Sequence, residues 1–133
     1  MTTIPRDRPP AREAGPELLV LQKWEETTRW LLDHTNRWPK SARFTLAQRL
    51  QNHALDLVEM LVLARYEPAE RRRLLRAANL RLERMRFLLR LAHGTGVMPA
   101  KGFERAMADL DEAGRMIHGW RVAIGDRKSE TPS

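Results

Sequence analysis

The chain of 133 residues contains no cysteine. That absence excludes a disulfide framework, a thiolate zinc site and a cysteine nucleophile. Aromatic residues are few, with one Tyr, three Phe and four Trp. No run of Val, Ile or Thr alternates with polar residues, so strand signals are nearly missing. No apolar stretch approaches the ~18 residues of a membrane-spanning helix. Residues 1–16 hold no hydrophobic segment of the signal-peptide kind. The expectation is an all-α, cytoplasmic protein without a membrane segment.

Catalytic constellations are missing too. His34, His53, His93 and His118 lie on separate segments, with no H-x-x-x-H pair to hold a metal. Glu25-Glu26 reads as a solvated pair on a helix surface. In Asp109-Leu110-Asp111-Glu112, Asp109 and Glu112 fall away from the apolar stripe of their segment. No Glu-x-x-His motif of the di-iron bundle type occurs. Gly94-Thr95-Gly96 lacks the flanks of a phosphate-binding glycine motif. The residues therefore argue for binding and against catalysis, with no cofactor and no metal.

What is abundant is positive charge, and it is concentrated. There are 24 Lys+Arg against 17 Asp+Glu, a formal charge of +7. Residues 68–93 carry Arg71, Arg72, Arg73, Arg76, Arg81, Arg84, Arg86 and Arg90 against Glu70 and Glu83, which accounts for six of those seven units. None of the cations in this segment is Lys. The guanidinium is a planar fork that binds phosphate or carboxylate bidentately and stacks on rings. A simply solvated helix face is the bland explanation, but the remaining segments of the same chain are nearly charge-balanced.

Apolar periodicity divides the chain into four helices. Residues 1–16, with Pro5, Pro9, Pro10, Gly15 and Pro16, read as a non-helical arm. Over 17–38, Leu18, Leu21, Trp24, Thr28, Leu31, Leu32, Thr35 and Trp38 recur on one face, and Pro39 ends the helix. Ser41 is the expected N-cap of a second helix over 41–65. Its stripe is Ala47, Leu50, Ala54, Leu57, Val58 and Leu61, widened by Leu46, Leu55, Met60, Val62 and Ala64. A third helix over 68–92 places Leu74, Leu75, Ala78, Leu82, Met85, Leu89 and Ala92 in the core, with Gly94 and Gly96 as exit signals. A fourth over 100–124 presents Phe103, Ala106, Met107, Leu110, Ala113, Ile117, Trp120 and Ile124, with Gly114 as a point of close helix approach. A polar tail covers 125–133. Four helices of similar length with short connections predict an antiparallel up-and-down four-helix bundle.

The third helix has a second apolar stripe. Leu80, Phe87 and Leu91 fall nearly opposite its core face, at i, i+7 and i+11. Such a patch suggests an oligomer or partner interface, and Trp30 of the first helix, outside that helix's main face, is assigned to it as well. Arg72, Arg76, Arg86 and Arg90 lie on one flank of the stripe, with Arg73 and Arg84 close to it. Repetition of this ridge around a symmetry axis attracts a polyanion through counterion release. Trp24, Trp38 and Trp120 read as core.

The string Met85-Arg86-Phe87-Leu88-Leu89-Arg90-Leu91, followed by Gly94, resembles the accessory variability determinant proteins of diversity-generating retroelements. These belong to a wider group that includes proteins encoded in intervening sequences of 23S ribosomal RNA genes. Met98-Pro99, Gly119-Trp120 and the Trp38-Pro39 bend also fit the family layout, and the match covers about residues 18–124. The resemblance implies a homopentameric barrel of four-helix bundles. It also implies a role beside the element's reverse transcriptase, supporting mutagenic copying of template RNA into cDNA. Arg86 and Arg90 are the cations carried over from the family motif. Arg71, Arg72, Arg73, Arg76 and Arg84 are added on electrostatic grounds, to contact RNA or cDNA through backbone phosphates. The alternative is an oligomeric scaffold of the intervening-sequence branch whose arginines pair with acidic partner proteins.

Overall fold

Each helix begins or ends where proline or glycine leaves the backbone no regular alternative. The computed structural model describes residues 15–125. Within them lie four long helices and no strand. Helix α1 is Pro16–Thr35. Helix α2 occupies 40–66 in three joined parts: Lys40–Ala42, a π-helical turn Arg43–Ala47, and Gln48–Tyr66. A 3₁₀ turn Pro68–Glu70 leads into α3, Arg71–Gly94, and α4 is Ala100–Ala123. Contacts run α1–α2, α2–α3, α3–α4 and α4–α1, closing a ring of neighbours around one core. Short connections make successive helices antiparallel.

Several boundaries differ from the sequence reading. Pro16 is not the last residue of an arm; it opens α1 as a first-turn proline. The rest of the predicted arm, and the tail beyond Gly125, lie outside the described residues. Helix α1 ends at Thr35 and not at Trp38, because Asn36, Arg37 and Trp38 turn back onto the carbonyls of Leu32, His34 and Thr35. Ser41 does not cap α2: Pro39 holds that position with extended ψ, and the helix has no side-chain cap. Helix α3 closes two residues later than expected. Gly96, at φ 82, lets the Val97 and Met98 amides reach back to the Ala92 carbonyl.

The core follows the periodicity closely. All seven predicted core residues of α3 are buried, as are Trp24, Trp38 and Trp120. The buried Trp24 indole donates to the Ala54 carbonyl at 2.9 Å, which fixes α1 against α2. Leu55 and Val62 depart from the expected stripe; they point outward, 43% and 39% exposed. Asp109 does not face away from the bundle. It accepts from Lys23 at 3.0 Å with its side chain only 14% exposed, fastening α4 to α1.

Among the glycines of α4, the crowded one is Gly102 and not Gly114. A Cβ at Gly102 would lie 2.7 Å from His34 Cε1, inside any tolerable contact. His34 has little freedom to yield, since it stacks on Trp30 at 4.7 Å and meets the Trp38 edge at 6.1 Å. Its Nε2 is buried without a hydrogen-bond partner. At Gly114 the nearest atom to such a Cβ is 3.5 Å away, an ordinary contact. Between α2 and α3, Arg81 donates to His53 Nδ1 at 2.8 Å and to Asp56 at 3.2 Å.

These contacts give two expectations. Gly102→Ala loses about 1–2 kcal/mol, overpacking outweighing the gain in helix propensity, whereas Gly114→Ala is neutral or gains up to about 1 kcal/mol; urea unfolding of both variants measures the contrast. The second concerns pH. Burial first, then Arg37, pushes the His34 pKa below its usual 6.5, and burial followed by Arg81 does the same to His53. Both rings resist protonation in the fold, whereas in the unfolded chain they take up protons below about pH 6.5. Stability is therefore full above that value and falls as pH drops toward the depressed folded pKa values. The urea midpoint is expected to be lower at pH 5 than at pH 7.5, with a smaller drop in His53→Asn.

Candidate nucleic-acid interface

Seven buried side chains fix the rotation of α3, so the remaining positions must face its flanks or solvent. Leu80, Phe87 and Leu91 are 61%, 63% and 56% exposed, a contiguous outward stripe. Arg72, Arg73, Arg76, Arg84 and Arg90 are exposed around it. At 1.5 Å per residue, the distance from Arg73 to Arg90 is about 25 Å of helix. The Arg90 guanidinium lies over the Phe87 ring at 5.0 Å, so cation and stripe are in direct contact. Arg73 also pairs with Glu70 at 2.7 Å, and Arg72 donates to the Ile124 carbonyl at 3.2 Å.

Arg71 and Arg86 sit differently. Arg71 donates to the Ala64 and Arg65 carbonyls at 2.6 and 2.8 Å, satisfying acceptors that the end of α2 leaves open. It also lies 5.9 Å from the centre of the Trp120 ring. Arg86 is only 14% exposed; it donates to Glu83 at 2.6 Å and twice to Asp111, at 3.0 and 3.2 Å. This binds α3 to α4 across an open groove that Asn79, Gly114, Arg115 and His118 also line. The motif pair Arg86 and Arg90 thus divides, one guanidinium held by carboxylates and the other exposed.

Trp30 does not extend the α3 stripe. It belongs to α1, the helix diagonal to α3 in the ring of contacts, and it is half-buried between His34 and the Arg105 guanidinium, 4.7 Å from its ring centre. A second exposed apolar series lies on α2, on the flank of Gln51, which faces α1. Leu55, Val62 and Tyr66 are exposed at i, i+7 and i+11, the spacing of Leu80, Phe87 and Leu91, with Leu63 and Phe44 exposed besides. Among the described residues every large exposed apolar side chain except Leu19 belongs to the α2–α3 hairpin. The shared spacing was present in the sequence. It was obscured because Leu55 and Val62 adjoin core positions and widened the apparent stripe.

The two motif arginines are separable by stability. Arg86→Ala, which strips hydrogen bonds from two carboxylates and removes packed methylenes, is expected to cost about 1–2 kcal/mol. Arg90→Ala is expected to stay within about 0.5 kcal/mol of the parent. Chemical denaturation of the two variants reads the difference.

Among the described residues, no group of three or more His, Asp or Glu side chains is arranged to hold a metal ion. No helix is long and apolar enough to cross a membrane. No curated protein and no solved structure matches the chain. A family model does match, the one described as bAvd-like, over residues 18–124. That span includes all four helices but the first two residues of α1, and with them the arginine-bracketed stripe of α3. On this match the chain belongs to the bAvd-like family.

Proposed function

We propose that this protein is the non-catalytic accessory subunit of a diversity-generating retroelement. In this reading it assembles as a homopentamer through the outward apolar stripe of α3. It holds template RNA and cDNA by their phosphates while the element's reverse transcriptase copies them. The observation that carries the reading is the bracketing of Leu80, Phe87 and Leu91 by Arg73, Arg76, Arg84 and Arg90 on one exposed helix face. An apolar stripe of this kind calls for a protein neighbour. The arginines beside it supply cations for a polyanion that runs along the assembly. Family membership supports the accessory role.

Arg90 leads the phosphate contacts, with Arg73, Arg76 and Arg84. Arg86 and Arg71 contribute to the field but chiefly hold α3 in place, since their guanidinium groups are part-buried against carboxylates and carbonyls, unlike the exposed Arg73. Contacts to phosphate position a strand without reading its sequence.

Light scattering is expected to give a mass about five times the 15.5 kDa chain, reduced when Leu80 and Phe87 are both replaced by Asp. The reverse transcriptase and its template RNA are expected to be retained by the immobilised protein at moderate salt. RNA affinity is expected to fall steeply with salt. Arg73→Ala, Arg84→Ala and Arg90→Ala together weaken it across all sequences and flatten the salt dependence by roughly one unit of slope per lost phosphate contact. A monomeric mass, a salt-insensitive affinity, or failure to retain both enzyme and RNA refutes the reading.

A further inference from the structure

The start of α2 carries a feature that the arginine ridge does not require. The π-helical turn Arg43–Ala47 interrupts the regular helix, and such insertions concentrate at functional positions. Phe44, on this turn, is 76% exposed, the most exposed large apolar side chain among the described residues. It borders a cavity of about 220 Å³ between the turn and the end of α1, which Thr35, Asn36, Arg43, Gln48 and Gln51 also line. That volume is below the roughly 300–1,000 Å³ of pockets for drug-sized ligands, and suits a single heterocycle.

The polar groups in this cavity are fixed by their own hydrogen bonds. Thr35 Oγ1 gives its proton to the Leu31 carbonyl at 2.7 Å, so toward Gln51 it can only accept. Gln51 Nε2 therefore donates to Thr35 Oγ1 at 2.9 Å and, with its second proton, to Asn36 Oδ1 at 3.1 Å. These bonds settle which way both amides are turned. The amide pair is left with one donor, the Asn36 NH₂, and one acceptor, the Gln51 carbonyl. A fixed donor beside a fixed acceptor is the complement of a nucleobase edge. A planar ring able to stack lies at the same cavity, and Arg43 supplies a cation next to it.

We infer that this cavity receives one unpaired nucleobase of a bound strand. The base stacks on Phe44, its edge meets the Asn36 and Gln51 amides, and an adjoining phosphate reaches Arg43. The inference rests on the reading that the protein holds a nucleic-acid strand, and adds to it a contact that senses bases. Continuation of the oligomer stripe is the competing account of Phe44. The polar groups argue against it, since Asn36, Gln48 and Gln51 bring amides and Arg43 a cation to the cavity, beside the apolar Phe44 and Ala47.

The test compares a single-stranded RNA with an abasic strand of equal length and charge, by fluorescence anisotropy at fixed salt on the full chain. The base-bearing strand is expected to bind more tightly, on the order of ten-fold for one stacked base. Phe44→Ala is expected to abolish that preference while leaving abasic binding and the mass in solution unchanged, and Gln51→Ala to reduce it. Equal affinity of the parent for both strands overturns the inference. So does a Phe44→Ala change that weakens both strands alike or alters the mass. If neither strand binds, the phosphate reading has failed separately, and ligand-observed NMR with the four free ribonucleosides decides the cavity alone. Magnetisation transfer that Phe44→Ala removes then supports the site, and its absence in the parent overturns it.

Discussion

The rotation of α3 about its own axis is the constraint on which the surface chemistry depends. Leu74, Leu75, Ala78, Leu82, Met85, Leu89 and Ala92 must all face the core. Once they do, no freedom remains in where the other side chains go: Arg86 falls at the α4 seam, Arg81 at the α2 seam, and Leu80, Phe87 and Leu91 directly outward. Burial of the first set holds the second in place, and with it the arginines that flank the outward stripe. A helix with so many cations is poorly suited to stand alone, and the hydrophobic contacts of its inner face offset their mutual repulsion.

Arginine serves two purposes along this one helix. At the seams it is a fastener, donating to carboxylates, to a histidine ring nitrogen and to the open carbonyls of α2. On the outer face it is exposed, as at Arg84 and Arg90. Lysine is a poor substitute at the seams, because a single ammonium lacks the planar fork that reaches two acceptors in fixed directions. The absence of lysine from residues 68–93 is thus explained at the seams by local geometry.

The helices and most of the core were legible from periodicity because burial repeats every three to four residues whatever the neighbours are. The buried face of α3 was legible residue by residue. Features that depend on two helices at once were not. The roles of Arg86 and Asp109 depend on what α4 and α1 bring opposite them. Gly102 gave no local sign that the His34 ring would occupy the space of a side chain. The π turn left only one mark, a five-residue step from buried Ala42 to buried Ala47 where a regular helix gives three or four. Two alanines are too weak an apolar signal to reveal it. The stripe of Leu55 and Val62 was misplaced for a related reason: a helix wheel sorts positions by angle but does not say where the neighbouring helices end their coverage.

The Arg71 clasp on the Ala64 and Arg65 carbonyls joins the last turn of α2 to the first turn of α3 across a connection of only a few residues. With Arg81 holding the same two helices together further along, the hairpin is fastened at two well-separated points. Its outward side is therefore a rigid plate and not a hinge. A plate already in its final shape surrenders little conformational entropy when it docks, so modest apolar patches on it go further toward association than the same area on a mobile pair of helices would.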